Sequence, residues 1–267
     1  MNVIRVLLIM AICVASAIKA EAGVAVTPER HIVLLSPAEE SKTVEYQVYN
    51  SGSQDLEIGI QPEDWSGIKT KQEADINSWF KLGQDTLSIK AGETKPFKVT
   101  VSAPQGIDGE LLAMIFLCYK EDKESMLNIR NGNPLYLVLK GTEWYGARID
   151  SIYVSYRKSP VGNTRYLDIG VNVNNTSNLH IMPELKVIIK DDNKNTVKEL
   201  ILENSRMLLR EEAYTFGFKW ECPELAEGRY NVTAELNYED KIKDLNKSAQ
   251  FEFKDNVVKM VEAKPEK

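Results

Sequence analysis

Histidine is the scarcest chemistry-bearing residue in this 267-residue chain, with only His31 and His180, one in each half. A catalytic or structural metal site needs three or four converging ligands, and no His/Cys/Asp cluster has suitable spacing, so no metal and no cofactor is expected. The chain also lacks an HExxH helix, a phosphate-cradling glycine loop and a GxSxG elbow. Acid pairs such as Glu39-Glu40 and Asp191-Asp192 fall in turn-like stretches. A catalytic carboxylate pair would need burial to shift its pKa. The reading is therefore of a non-enzyme.

Other absences narrow the class further. Lysine and arginine number 33 against 39 acids, a formal charge of −6. With no basic cluster, nucleic acid is not an expected partner. Cysteine occurs three times, at Cys13, Cys118 and Cys222. Two thiols in separate halves of a chain rarely meet the geometry of a bridge, so Cys118 and Cys222 read as free thiols. After the first twenty residues no apolar run approaches the roughly 20 residues of a spanning helix.

The N-terminus reads as a leader. Arg5 precedes an apolar core, Val6 to Ile18, and Ala20-Glu21-Ala22 supplies a small-x-small cleavage pattern. That is a secretory signal peptide over residues 1–22. Ile12 stands before Cys13 where lipidation would want a small residue. Removing the segment takes away two cations and one anion, moving the formal charge to −7. An exported chain with no membrane insertion after cleavage is expected. The charged stretch 255–267 reads as a disordered tail.

Strand periodicity fills the rest. Phe97, Val99 and Val101 alternate with Lys98, Thr100 and Ser102, and Val44, Tyr46 and Val48 do the same upstream. This is the period of a half-buried strand. Leu111 to Tyr119 is a nearly continuous apolar run, suited to the inside of a sandwich. Val24 to Leu35 reads as one long strand that Pro28 interrupts, marking an edge or a switch between sheets. Leu135, Leu137 and Leu139 alternate as a last strand before Gly141-Thr142-Glu143, the expected hinge. Strands then recur at eight-to-twelve-residue spacing, including Tyr166 to Val173 and Tyr230 to Tyr238, and Asn204 to Glu212 hints at a helical turn. Of the four tryptophans, Trp79 and Trp220 lie in apolar settings, Trp65 in a long polar loop and Trp144 at the hinge.

The strand Val24-Ala25-Val26-Thr27-Pro28-Glu29-Arg30, the strand Thr43 to Asn50, Leu87-Ser88-Ile89 with Ala91-Gly92-Glu93, the strand Gly109 to Tyr119 and Leu135-x-Leu137-x-Leu139 together resemble the periplasmic pilus-assembly chaperones. The resemblance covers roughly the first half; the second is similar to generic bacterial immunoglobulin-like modules. It implies an all-β chain of two immunoglobulin-like β-sandwich domains in tandem, over residues 24–142 and 146–254. It also implies a periplasmic binding protein that caps or escorts a protein subunit of a pilus or surface assembly.

In that family an Arg on the first strand and a Lys near the last strand of domain one hold the subunit's terminal carboxylate. Arg30 occupies the first position. Lys140 is the nearest lysine for the second, although the family places its lysine several residues further on. The same mechanism would make Leu135, Leu137 and Leu139 an edge that pairs with an incomplete subunit. A second reading is a structural or adhesive module that binds wall polymer or carbohydrate through Trp65. Neither reading specifies an oligomeric state.

Overall fold

The computed structural model describes residues 23–36, 39–66, 75–120, 126–160, 162–221 and 225–261. The expected signal peptide and Cys222 lie outside these residues. The chain divides into two compact units, the first made up of most of the chain up to Leu139 and the second of Lys140 onward with short earlier stretches, Asp108–Glu110 among them, and the regular structure of both is almost entirely strand.

The first unit contains β1 (Val24–Thr27), β2 (His31–Leu35), β3 (Ser41–Asn50), β4 (Leu56–Asp64), α1 (Ile76–Trp79), β5 (Phe80–Leu82), β6 (Thr86–Ile89), β7 (Thr94–Ser102), β8 (Glu110–Tyr119) and β9 (Ile129–Leu139). One sheet has the order β1-β3-β7-β5 and the other β2-β9-β8-β4-β6. Strict alternation turns Tyr46 and Val48 of β3 and Phe97, Val99 and Val101 of β7 inward against Ile58, Ile115, Leu117, Leu135 and Leu137 of the facing sheet. Side chains on a strand change face every residue, so each apolar set forms one wall of the core.

Pro28 divides the long first strand as its sequence implies. The Thr27–Pro28 peptide is cis, β1 pairs antiparallel with β3, and β2 crosses to the other sheet and pairs parallel with β9. Asn50 closes the turn after β3. Its side chain donates to the Gln54 carbonyl at 2.8 Å and accepts from the Gly52 amide at 2.9 Å. At α1 the Asp75 carboxylate accepts from the Asn77 amide at 3.1 Å, the usual satisfaction of a helix N-terminus.

Tyr46 is fully buried, stacked on Phe97 at 4.9 Å between ring centroids. Its hydroxyl has no hydrogen-bond partner among the described residues, and burial pushes the phenol pKa up. A buried, unpartnered hydroxyl costs stability. Tyr46→Phe is therefore expected to raise the unfolding free energy by about 1 kcal/mol, read from urea denaturation. A fall of that size would show that the hydroxyl has a partner.

The second unit contains β10 (Ala147–Lys158), β11 (Arg165–Asn175), β12 (Glu184–Asp191), β13 (Thr196–Ile201), β14 (Ala213–Glu221), β15 (Gly228–Tyr238), β16 (Ile242–Lys254) and β17 (Val257–Val261). Its sheets have the orders β10-β11-β14 and β13-β12-β15-β16-β17. Val154, Leu167, Val171, Val187, Phe216, Val232 and Phe251 belong to one apolar core.

Two expectations change here. Asn204 to Glu212 holds no helical turn; an isolated bridge between Ile181 and Leu208 fixes this stretch and buries Leu208. The expected tail carries β17, which pairs with β16 from Lys254↔Val257 to Gln250↔Val261. Asp255 and Asn256, both at positive φ, turn the chain between them, as a two-residue hairpin requires. Residues 262–267 lie outside the described part.

Candidate functional site

The sheet switch at Pro28 creates the most distinctive feature of the first unit. β2 lies along β9 only from His31↔Leu135 to Leu35↔Leu139. Among the described residues, the earlier half of β9, Ile129 to Pro134, therefore has a strand neighbour on one side only, β8. Pro134 has no N–H to give a ladder, and it stands where the β2 pairing begins. β1, at the edge of the other sheet, faces this open stretch across a cleft of about 760 Å³.

Val24, Ala25 and Val26 line one wall of the cleft and Asn131, Gly132 and Asn133 the other, with Glu29 and Arg30 beside them. A side-chain hydrogen bond reaches across, from the Asn131 amide to the Val24 carbonyl at 3.2 Å. Arg30 is exposed, is the one cation among the lining residues and forms no ion pair among the described residues. Glu29 sets an anion next to it, so the cleft is not uniformly positive. Immediately before the open stretch, Met126 is 96% and Leu127 75% exposed. On β2, Ile32 and Leu34 also turn outward, 53% and 46% exposed.

The outer face of the five-stranded sheet is held by a second group of contacts. The Arg130 guanidinium lies 3.8 Å from the Phe116 ring centroid and pairs with the Glu63 carboxylate at 2.6 Å. The hydrogen bond from Arg130 is the main reason the Glu63 carboxyl is held below the usual carboxylate range. The Trp65 ring is 43% exposed, 6.1 Å from Phe116, and its indole N–H donates to Glu63 at 3.4 Å.

The structure redistributes the residues expected from the sequence. Arg30 is exposed at the cleft. Leu135, Leu137 and Leu139 are buried core residues. Their backbone lies between β2 and β8, so this stretch presents no open edge. The edge lies just before it, at Ile129 to Asn133.

Lys140 is exposed in the turn after β9. In the parallel register Arg30 stands level with Pro134, and Lys140 follows six positions on, roughly 20 Å at 3.3 Å per residue. Met126 and Leu127 were not among the expected site residues. Their signal was two large apolar side chains side by side just after the charged run Lys120 to Glu124.

No protein-family model and no curated protein sequence matches the chain. Among solved structures it is similar to the class 5 fimbriae chaperone CfaA, at 14% identity and a TM-score of 0.45, over 85% of this chain and 97% of that one. It is also similar to the CsuC–CsuE chaperone–tip adhesion subunit pre-assembly complex from the archaic chaperone-usher Csu pili of Acinetobacter baumannii. There the identity is 14%, the TM-score 0.41, and the cover 85% and 98%. For the E. coli chaperone DraB the values are 9%, 0.41, 87% and 96%.

Proposed function

We propose that this chain is an exported, non-enzymatic binding protein that escorts a β-rich subunit of a surface assembly by strand addition. The observation that carries the reading is the open half of β9, Ile129 to Asn133, set beside an ion-pair-free Arg30. Main-chain hydrogen bonds along an open edge give affinity without demanding one sequence. A guanidinium fork suits a carboxylate at the end of the incoming segment. Met126 and Leu127 offer apolar surface at the start of the same edge, of the kind that binding covers. Export rests on the leader-like residues 1–22, and the pilus or surface subunit rests on the resemblance of the first half to pilus-assembly chaperones.

Trp65 supports the wall-binding alternative less well. Its ring packs toward Phe116 and its N–H is used by Glu63, so it is engaged within the sheet's own outer face.

The first test is a pull-down with the full chain from the periplasm of its own cell. A stoichiometric small β-rich subunit is the expected catch, and retention on insoluble peptidoglycan in its place would overturn the reading. The second uses a peptide copying that subunit's C-terminal segment, with a free or an amidated terminus. Charge-assisted hydrogen bonds are worth about 1.5–3 kcal/mol, so Arg30→Ala should weaken the free-acid peptide roughly tenfold or more and leave the amidated one unchanged. Equal binding of both peptides to the parent would remove Arg30 from the mechanism.

A further inference from the structure

We propose that the outer face of the three-stranded sheet in the second unit carries a binding site for a neutral sugar ring, with Tyr153 as its platform and the space over Gly217 as its slot. This inference is independent of the proposed function. Side chains on a strand change face every residue. Leu167, Ile169, Phe216 and Phe218 take the core side of this sheet, which leaves Tyr153, Gly170 and Gly217 on the other. The register sets those three in one row across β10, β11 and β14, Tyr153 opposite Gly170 and Gly170 opposite Gly217.

Glycine weakens the interior of a strand and often marks a place where a ligand comes close to the backbone. Neither glycine of this row has a positive φ, so the reason for each lies in the space above it. For Gly170 the reason is visible. A Cβ there would stand 2.0 Å from Tyr153 Cζ and 2.3 Å from the phenol oxygen. The ring therefore lies across the glycine, and the side chain is still 50% exposed. For Gly217 no side chain among the described residues supplies a reason, since a Cβ would meet nothing within 4 Å. The row is an exposed aromatic ring beside an open slot.

The neighbouring rows select the ligand. On one side the Asn172 amide donates to the Thr215 hydroxyl at 3.0 Å. On the other, Asp168 is paired with Arg157, and Lys219 Nζ stands 3.8 Å from the centroid of the Tyr166 ring. These groups are fixed before a ligand arrives, which lowers the cost of binding. Arg157 and Lys219 are matched by Asp168 and Glu221 on the same face, so a neutral ligand suits the surface better than an anion. A peptide strand would find no open backbone edge in the middle of a sheet face. A pyranose offers an apolar C–H face to lie on an aromatic ring, and rim hydroxyls to meet the amide, hydroxyl and charged groups on either side.

The test is calorimetric titration of the full chain with neutral oligosaccharides built from glucose, galactose, mannose or N-acetylglucosamine. At least one should bind. Tyr153→Ala should weaken that ligand roughly tenfold, and Tyr153→Phe, which keeps the ring, should weaken it less. Gly217→Val separates binding from folding. Valine favours a strand position, so the melting transition should hold or rise, while binding is lost because the side chain fills the slot. A parent chain that binds none of the oligosaccharides would overturn the proposal, as would parental affinity in Gly217→Val.

Discussion

Leu137→Glu is expected to unfold the first unit rather than to weaken binding selectively. Leu137 is wholly buried, and its backbone pairs with Val33. Its side chain faces the core with Leu135 and Leu139, and a carboxylate there would have neither water nor a cation. The cost of such a charge is several kcal/mol, against a total stability of about 5–15 kcal/mol for a domain of this size. Even Leu137→Ala should cost about 2–5 kcal/mol. Urea unfolding followed by tryptophan fluorescence reads this directly, because Trp79 is buried in the same unit. A Leu137→Glu chain with the parental midpoint would mean that this stretch of β9 is not core.

Met126→Glu combined with Leu127→Glu is expected to do the reverse. Both side chains are largely exposed, and surface substitutions of this kind usually change stability by less than about 0.5 kcal/mol each. If the escorted subunit covers them, each contributes roughly 1.5–3 kcal/mol before ordering costs are subtracted. A loss of affinity of tenfold to several hundredfold follows, with the melting transition unchanged. Titration of the double variant with the captured subunit gives the answer. Parental affinity would place the contact surface elsewhere.

The contrast between these variants marks how far the sequence could be read. Local periodicity carries the strands well: β3, β7, β11 and β15 alternate in burial as their residues alternate in polarity. The apolar run of β8 sits within its sheet, and Pro28 marks the switch between sheets. What periodicity cannot carry is the identity of a strand's neighbours. Three alternating leucines look the same on an edge as in the interior of a sheet. Only the parallel pairing of β2 with β9, made between segments about a hundred residues apart, shows that Leu135 to Leu139 is covered and Ile129 to Asn133 is open.

The same non-local pairing separates Arg30 from Lys140, which nearness to the leucine run alone could not show. β17 was obscured for a different reason. The charge of the C-terminal stretch as a whole hides Val257, Met260 and Val261, whereas the Asp255-Asn256 pair is a legible turn signal.

Amide hydrogen exchange with and without the captured subunit tests the central claim most directly. Strand addition along the open half of β9 predicts that amides within Ile129 to Asn133 gain protection on binding, while those of Leu135 to Leu139 are protected in both states. Unchanged exchange at Ile129 to Asn133, with new protection confined to the residues around Trp65 and Phe116, would contradict the account.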